Sequence, residues 1–316
     1  MIRNDNKQTI FKYMVTNKIW VIVIALFCSV LWGSAFPVLK ITYSEMGLMS
    51  YDYGSKMVLA GIRFFAAGCI LLLLVRFGFK ESIKLEKKYW APVVLLGIMQ
   101  ISLQYFFFYN GLANTTGIKG AILQSSSTFF VIILAHFFYE NDKVNWQKLV
   151  GLLTGFGGII LINSGKDLDL AFKLNGEGFL LIAGFSGALG MILAKRLARD
   201  IETFLLTGWQ MTIGSLFLFI VGIISVNGNM PVFTSLAKGL LVYSAFLSAV
   251  AFSLWYAILK YNKAGEITIY RFMVPVSGSV LSALFISGEL LNYSAIGALI
   301  LVSMGIMVVN YTGRKE

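Results

Sequence analysis

Residues 19–39 read IWVIVIALFCSVLWGSAFPVL, a run of side chains without a single formal charge. At 1.5 Å of rise per residue, this run forms a helix of about 30 Å, which matches the hydrocarbon thickness of a membrane. It is too long for the apolar core of a secretory signal, and no small-x-small cleavage site ends it. The run therefore predicts a first transmembrane helix.

Apolar runs of this kind recur almost to the end of the 316-residue chain, of which 58% is hydrophobic and 13% is charged. This apolar surface exceeds what a soluble core can bury, so the surplus has to face membrane lipid. We predict an all-α, polytopic membrane protein with ten transmembrane helices. The predicted spans are 19–39, 57–75, 90–112, 120–139, 149–163, 178–194, 204–226, 238–259, 266–287 and 290–311.

Sequence patterns of cofactor and metal sites are missing from the chain. Cys28 and Cys69 both lie in apolar runs, which favours neither a disulfide framework nor a thiolate metal site. The sequence also holds no phosphate-binding loop and no Cys or His metal spacing. We therefore expect no cofactor, no metal and no ATP-driven motor within this chain.

Positive charges are concentrated in alternate loops. With the N-terminus in the cytoplasm, the inner segments hold eighteen of the 26 lysines and arginines and the outer segments hold six. Positive residues are retained on the cytoplasmic side, so both termini are predicted to be cytoplasmic. Anionic lipid at that face accounts for the net charge of +11, and no nucleic-acid partner is expected.

The two halves of the chain are weakly similar to each other. Tyr109–Leu112 (YNGL) corresponds to Tyr256–Leu259 (YAIL), at the ends of the third and eighth spans. Because each half holds five spans, an odd number, the second half enters the membrane from the opposite side. We predict two inverted repeats, 1–164 and 165–316, with a substrate site between them near the midplane.

Four segments carry a resemblance to a known family. They are WGSAFPVLK (Trp32–Lys40), GIRFFAAG (Gly61–Gly68), YNGLANTTGIKGAIL (Tyr109–Leu123) and VPVSGSVLSALFISGE (Val274–Glu289). In order and spacing these segments resemble the drug/metabolite transporter superfamily, EamA type, over nearly the whole chain. The resemblance implies a five-plus-five inverted fold with a central cavity. It also implies, most often, export of amino acids or related metabolites. We further predict a plasma-membrane protein that is not an enzyme.

Two prolines within spans, Pro37 and Pro275, are candidates for kinks that assist gating. The family's usual proline early in the fourth helix is replaced here by the run Ser125–Thr128. A gate that relies on a kink in that helix therefore lacks its proline.

Arg63 and Arg271 are the two charged residues predicted within spans, each roughly 8–9 Å from the start of its helix. A guanidinium at that depth can bind a carboxylate or a phosphate through two hydrogen bonds. The alternative is that each side chain snorkels to its nearer interface. Because the halves are inverted, the two arginines would approach the site from opposite sides.

Further substrate-site candidates are the polar and aromatic side chains at helical spacing. They are Trp32, Phe36, Gln100, Gln104, Phe108, Gln124, Phe252, Trp255 and Tyr270. Taken singly, such residues more often pack or pair between helices than bind a ligand. The resemblance places helices 1, 3, 4, 8 and 9 around the cavity, and with the arginines the set suits an amino acid or a related carboxylate. Sugar phosphates and nucleotide sugars are the alternative cargo, since arginine also suits phosphate.

Proton coupling through a buried acid is not expected. All 15 aspartates and glutamates fall in loops or at the ends of predicted spans, and the one histidine, His136, is predicted near an inner end. We therefore predict facilitated transport or exchange. The remote alternative of an intramembrane serine protease rests on the short pattern Gly184–Gly187 (GFSG), but its base would have to be His136, which precedes Ser186.

The fifth span is rich in glycine, with glycines at positions 151, 155, 157 and 158. Small residues let helices approach closely in lipid, either within one chain or between two chains. A homodimer is thus one of the two arrangements that this span allows.

Overall fold

The computed structural model describes residues 10–49, 51–114, 123–162, 172–226, 232–286 and 293–311, and within these ranges it contains helices and no strand. The ten apolar helices are α1 (Lys18–Glu45), α2 (Tyr53–Leu73, continued by the π-helical turn Leu74–Gly78), α3 (Lys87–Gly97, π-helical Ile98–Leu103 and Gln104–Ala113), α4 (Ser126–Phe138), α5 (Trp146–Ile162), α6 (π-helical Leu174–Gly178 and Phe179–Leu197), α7 (Thr203–Ser225), α8 (Ser235–Tyr261), α9 (Ala264–Ile267, 3₁₀-helical Thr268–Phe272 and Met273–Phe285) and α10 (Tyr293–Tyr311).

The predicted class, an all-α polytopic membrane protein, is confirmed. Seven of these helices are long and apolar enough to cross a membrane. The other three, α4, α5 and α10, are shorter apolar helices within the described ranges. Each predicted span therefore has an apolar helix at its position, although not every helix has full spanning length.

Side-chain caps fix where several helices begin. Asn17 Oδ1 accepts the backbone N–H of Ile19 at 3.1 Å and starts α1. Thr234 Oγ1 accepts the N–H of Ala237 at 3.1 Å and starts α8. These polar residues stand just outside the apolar runs and satisfy amide groups that the first turn of a helix leaves unpaired.

Two helices begin earlier than hydropathy alone predicts. Because α2 starts at Tyr53, Lys56 is a buried residue of its first turn rather than a loop charge, and Arg63 lies about 15 Å along the helix. Because α6 starts at Leu174, the buried Glu177 belongs to a helix rather than a loop. Its carboxylate accepts the N–H of Lys173 at 2.7 Å, which keeps it at the end of the span.

Lys195 is also buried rather than free in a loop, at the end of α6. Its Nζ donates to the carbonyl of Leu259 at 3.0 Å and to the carbonyl of Asn262, both at the end of α8. A lysine at the C-terminus of a helix satisfies carbonyls that have no helical donor. The ends of α6 and α8 are thereby joined.

The helices pack in a symmetric pattern. α2 packs on α7 and α5 on α10, while α1 contacts α8 and α9, and α6 contacts α3 and α4. α3 also packs on α7, and α8 on α2. Exchanging each helix of one half with its counterpart in the other leaves this set of pairs unchanged, which supports the proposed division into two five-helix repeats.

The glycines of α5 face neighbouring helices of the same chain. A Cβ at Gly155 would lie 2.2 Å from the ring of Phe272, and one at Gly158 would lie 3.0 Å from the carbonyl oxygen of Ala298. A Cβ at Gly151 would be 2.6 Å from Val309, whereas one at Gly157 would meet nothing within 4 Å. Three of the four glycines thus serve packing within the chain, and the homodimer stays a prediction without their support.

Candidate substrate site

Proline sets the position of Arg271 on α9. Pro275 has no amide hydrogen, so the carbonyl four residues earlier, that of Arg271, loses its usual helical donor. The backbone is 3₁₀-helical at Thr268–Phe272, immediately before this proline. The neighbouring carbonyl of Tyr270 accepts a hydrogen bond from Ser29 Oγ of α1 at 3.0 Å. The irregular backbone of α9 is therefore held against α1.

Pro37 has a milder effect on α1, which continues through it from Lys18 to Glu45. Its missing amide hydrogen frees the carbonyl of Gly33, which faces α9, because a Cβ at Gly278 would lie 3.3 Å from that oxygen. Both prolines are therefore near the contact between α1 and α9. Their predicted role in gating stays a prediction.

Four of the candidate residues meet where α1, α8 and α9 come together. The guanidinium carbon of Arg271 lies 5.6 Å from the centre of the Trp32 ring. That ring packs at 5.3 Å against Phe252 and at 5.2 Å against Trp255. We call Trp32, Phe252, Trp255 and Arg271 the aromatic cluster.

A buried hydrogen-bonded triad lies beside the aromatic cluster. The hydroxyl of Tyr256 is 2.7 Å from Oε1 of Gln100 on α3 and 3.0 Å from Oε1 of Gln210 on α7. A phenol has one proton, so it donates to one amide at a time. The triad joins three helices, α3, α7 and α8, and it includes one predicted residue, Gln100.

Arg63 is bound to α8. Its side chain is 4% exposed, and Nε donates to the carbonyl of Ser244 at 3.2 Å and to Oγ of Ser248 at 2.8 Å. These hydrogen bonds hold the Arg63 side chain against α8, which disagrees with the alternative that it snorkels toward the nearer membrane interface. Within the described residues, neither Arg63 nor Arg271 forms an ion pair with a carboxylate.

Aromatic residues that sequence reasoning missed connect the two arginines. Phe64, next to Arg63, packs on Tyr105 at 4.5 Å and on Phe252 at 6.4 Å. Tyr105 lies within electrostatic reach of both guanidinium groups. The arginines therefore lie at the two ends of one continuous series of ring contacts.

Several buried polar atoms here have no hydrogen-bond partner within the described part of the chain. They are Nε1 of Trp32, Nε1 of Trp255, Nε2 of Gln210 and Oε1 of Gln104. Each such atom costs about 1–3 kcal/mol when nothing satisfies it. Three of the four are hydrogen-bond donors, which suits a ligand rich in acceptors, such as a carboxylate.

The remaining candidates lie outside the aromatic cluster. Phe36 is 37% exposed and packs beside Gly278, and Phe108 packs on Tyr105 and Tyr109 within α3. Gln124 stands just before α4, and its Oε1 is buried without a described partner. Tyr270 is buried and contributes its carbonyl to the bond with α1.

Ser186 and His136 do not form the nucleophile–base pair that the serine protease alternative requires. Ser186 Oγ donates to the carbonyl of Met99 at 2.7 Å, which joins α6 to α3. His136 lies near the end of α4, where its Nδ1 accepts the N–H of Val144 at 3.1 Å. Each residue is thus occupied in a structural bond of its own.

Comparison with known proteins agrees with this architecture. The sequence pattern of the EamA-like transporter family matches residues 19–164 and 174–311. The chain is 26% identical over 302 residues to the uncharacterized transporter YvbV of Bacillus subtilis, covering 92% of this chain and 91% of the relative. It is 24% identical over 303 residues to the WAT1-related protein At3g02690, chloroplastic, of Arabidopsis thaliana, covering 92% of this chain and 69% of that protein.

A solved crystal structure shares the fold, with a TM-score of 0.76 at 15% identity over 92% of this chain and 97% of the other. The two segments matched by the family pattern are separated by residues 165–173. The division of the chain into repeats 1–164 and 165–316 stays a prediction.

Proposed function

The chain belongs to the EamA-like transporter family and is a multi-pass membrane transporter, and on that premise we propose that its cargo is a small carboxylate, most directly an amino acid or a related acid. Transport proceeds by alternating access between the two inverted halves. It is facilitated transport or exchange, in the direction set by the gradients of the cargo.

The observation that carries this proposal is the guanidinium of Arg271 on the face of Trp32. Within the described residues it has neither a carboxylate partner nor a hydrogen bond, so its donors are available to a ligand. A guanidinium binds a carboxylate through two parallel hydrogen bonds. The Trp32 ring behind the guanidinium of Arg271 fixes the plane in which those two donors lie. The indole N–H groups of Trp32 and Trp255, which have no partner among the residues that the structure describes, add donors beside it.

The position of the second arginine supports alternating access. Arg63 belongs to the first half and Arg271 to the second, and Tyr105 lies within reach of both. In inverted repeats the two halves exchange roles between the two open states. Each arginine then meets the cargo from its own side of the rings.

The proposal of uncoupled transport is supported by the surroundings of the aromatic cluster. Among the described contacts of its four residues, none is to an aspartate or a glutamate. A relay of protons across a membrane needs a titratable group in the pathway. Uptake into liposomes should therefore respond to the cargo gradient and not to a pH gradient.

Two arginines that form no ion pair among the described residues also favour phosphate, so sugar phosphates and nucleotide sugars are the second candidate cargo. Competition in reconstituted vesicles separates the two classes, because free amino acids inhibit carboxylate counterflow and phosphorylated sugars inhibit the alternative. We further propose that the protein lies in the plasma membrane with both termini in the cytoplasm. Reporter fusions at each terminus test that orientation.

The decisive test replaces Arg271 by Gln and by Lys in the reconstituted protein. Arg271→Gln removes the charged guanidinium and should reduce carboxylate counterflow about 10- to 100-fold. Arg271→Lys keeps the positive charge and should retain part of the counterflow. Arg76→Gln, an exposed arginine on the last turn of α2, is the matched control and should transport normally. Unchanged transport by Arg271→Gln, or inhibition by cations alone, would contradict a carboxylate cargo.

A further inference from the structure

Lys195, at the end of α6, lies between the ends of α8 and α4. Its Nζ donates to the carbonyls of Leu259 and Asn262, to the first at 3.0 Å. The same Nζ lies 5.4 Å from the centre of the Tyr139 ring, just after α4. The hydroxyl of Tyr139 in turn donates to the carbonyl of Ile192 on α6 at 3.0 Å. One lysine and one tyrosine therefore hold the ends of three helices together.

These contacts lie at one end of the aromatic cluster. Leu259 and Asn262 follow Trp255 along α8, about 6 and 10 Å beyond it at 1.5 Å of rise per residue. α9 begins at Ala264, directly after Asn262, and leads back to Arg271. The contacts of Lys195 therefore lie across the end of the site at which α8 ends and α9 begins.

The helices are also in contact between Lys195 and Arg271. Thr268 of α9 is fully buried, and its Oγ1 lies 3.9 Å from Sδ of Met191 on α6. Leu259 of α8 is fully buried as well. The structure thus shows α6, α8 and α9 packed together at this end, so the site is closed there.

Lys195 is suited to a contact that forms and breaks. Its side chain is 7% exposed, and no carboxylate among the described residues lies within ion-pair distance of its Nζ. Burial of the ammonium group costs free energy, which hydrogen bonds to neutral carbonyls offset only in part. When the ends of α6 and α8 separate, water hydrates both the ammonium group and the carbonyls. The lysine thus stabilises the closed arrangement without making the open one costly.

We propose that Lys195 is a gate residue: its bonds to the end of α8 close the site on this side, and they break whenever the site opens there. Alternating access requires each end of the site to open in turn. α6 and α8 separate at this end only after the ammonium group has left the two carbonyls. This inference rests on the proposed function, since it assumes that the cargo crosses by alternating access.

Reversible cross-linking tests whether the contact has to break. In the full-length protein, Cys28 and Cys69 are replaced by Ala, and Lys195→Cys is combined with Asn262→Cys. A short bifunctional thiosulfonate then joins α6 to α8, and a reducing agent releases them. Counterflow should fall about tenfold or more on cross-linking and recover on reduction, because the cycle loses one of its open states. Carboxylate affinity in detergent should change by less than about twofold, because Arg271 is untouched.

Each single variant, Lys195→Cys or Asn262→Cys, is a control for the reagent. Both react with the thiosulfonate, but neither joins two helices. Their counterflow should therefore be the same before and after treatment.

A second pair tests Lys195 itself and needs no cargo. Tyr139→Cys with Asn262→Cys joins α4 to α8 across the same end and keeps the lysine. Acetylation of Lys195 by an amine-reactive ester, followed by mass spectrometry, should be about tenfold slower in the cross-linked protein than after reduction, because opening exposes the ammonium group. Lys260, which contacts the ring of Tyr261 on its own helix, is the control and should react equally in both.

The outcomes separate this inference from the proposed cargo. Full counterflow in the cross-linked protein, or acetylation of Lys195 that cross-linking does not slow, would overturn the gate. A loss of affinity as large as the loss of counterflow would also overturn it, since the linker would then act on the site. Counterflow that survives Arg271→Gln contradicts the carboxylate cargo only, because the acetylation of Lys195 is measured without cargo.

Discussion

Nζ of Lys148 lies 2.5 Å from Oδ1 of Asp142, and the two side chains are 2% and 1% exposed. The other carboxylate oxygen of Asp142 accepts the N–H of Gly265 at 2.9 Å, in the first turn of α9. Nζ of Lys148 also donates to the carbonyl of Lys143 at 2.8 Å. This buried ion pair therefore joins the loop between α4 and α5, in the first half, to the second half of the protein.

Breaking the pair from one side should destabilise the protein strongly. Asp142→Ala leaves an uncompensated ammonium group among buried atoms, and we expect it to cost about 3–5 kcal/mol. The double variant Asp142→Leu/Lys148→Met should recover most of that loss, because it removes both charges. Thermal unfolding of the purified variants measures both effects. Equal loss of stability in the single and the double variant would show that the unpaired charge of Lys148 is not the cause of the destabilisation.

Replacing the ring beneath Arg271 should weaken carboxylate binding without abolishing it. Trp32→Leu removes a cation–π contact of about 0.5–2 kcal/mol, and Trp32→Phe retains part of it. Dissociation constants for a bound carboxylate should rise in the order wild type, Trp32→Phe, Trp32→Leu. Trp90→Leu, whose ring packs on Trp209 instead, is the control. An affinity that does not change in Trp32→Leu would mean that the ring only fills space.

The glycines of α5 offer a matched pair of stability tests. Gly155→Ala places a methyl group 2.2 Å from the ring of Phe272, and such overpacking should cost about 1–3 kcal/mol. Gly157→Ala meets nothing within 4 Å and should be neutral or slightly stabilising. Melting temperatures in one detergent give the comparison. A Gly155→Ala variant as stable as the wild type would contradict the close contact between α5 and α9.

Stability should depend on pH through Glu202, which stands just before α7. Its carboxylate accepts the N–H of Leu205 at 2.8 Å, and burial raises the pKa of Glu202 above its usual 4.5. Because the native state holds this proton more tightly than the unfolded chain, stability should fall as pH rises from about 4.5 through the raised pKa. Glu202→Gln should flatten that slope in melting curves taken between pH 4 and 7, whereas an unchanged slope would assign it to other groups.

Sequence patterns predicted which residues lie in helices better than where those helices begin. The polar start of α2, Tyr53–Lys56, looks like a loop in a hydropathy profile, but packing buries it. Arg63 consequently lies almost twice as far from the start of its helix as expected. Glu177 was likewise predicted to lie before the sixth span, because the polar start of α6 also looks like a loop, but it belongs to that helix.

The candidate site was predicted only in part, because hydropathy does not fix which helices touch or how each is rotated. Trp32, Phe252, Trp255 and Arg271 were predicted, and they meet. Gln210 was missed, although an amide in an apolar span is the same signal that identified Gln100. Nothing local marks Tyr256, whose partners are more than forty residues away in the chain.

The proline that shapes α9 has no counterpart at the start of α4, which is serine-rich, although the two helices hold equivalent places in the packing. A transporter with symmetric helix packing, but with a proline in only one of two equivalent helices, does not behave identically in its inward-open and outward-open states. For a passive carrier, detailed balance forbids a net preference for one direction. The difference between α4 and α9 must then appear as unequal half-saturation concentrations on the two membrane faces. The maximal rates in the two directions differ in the same proportion, so the ratio of maximal rate to half-saturation concentration is equal on both faces.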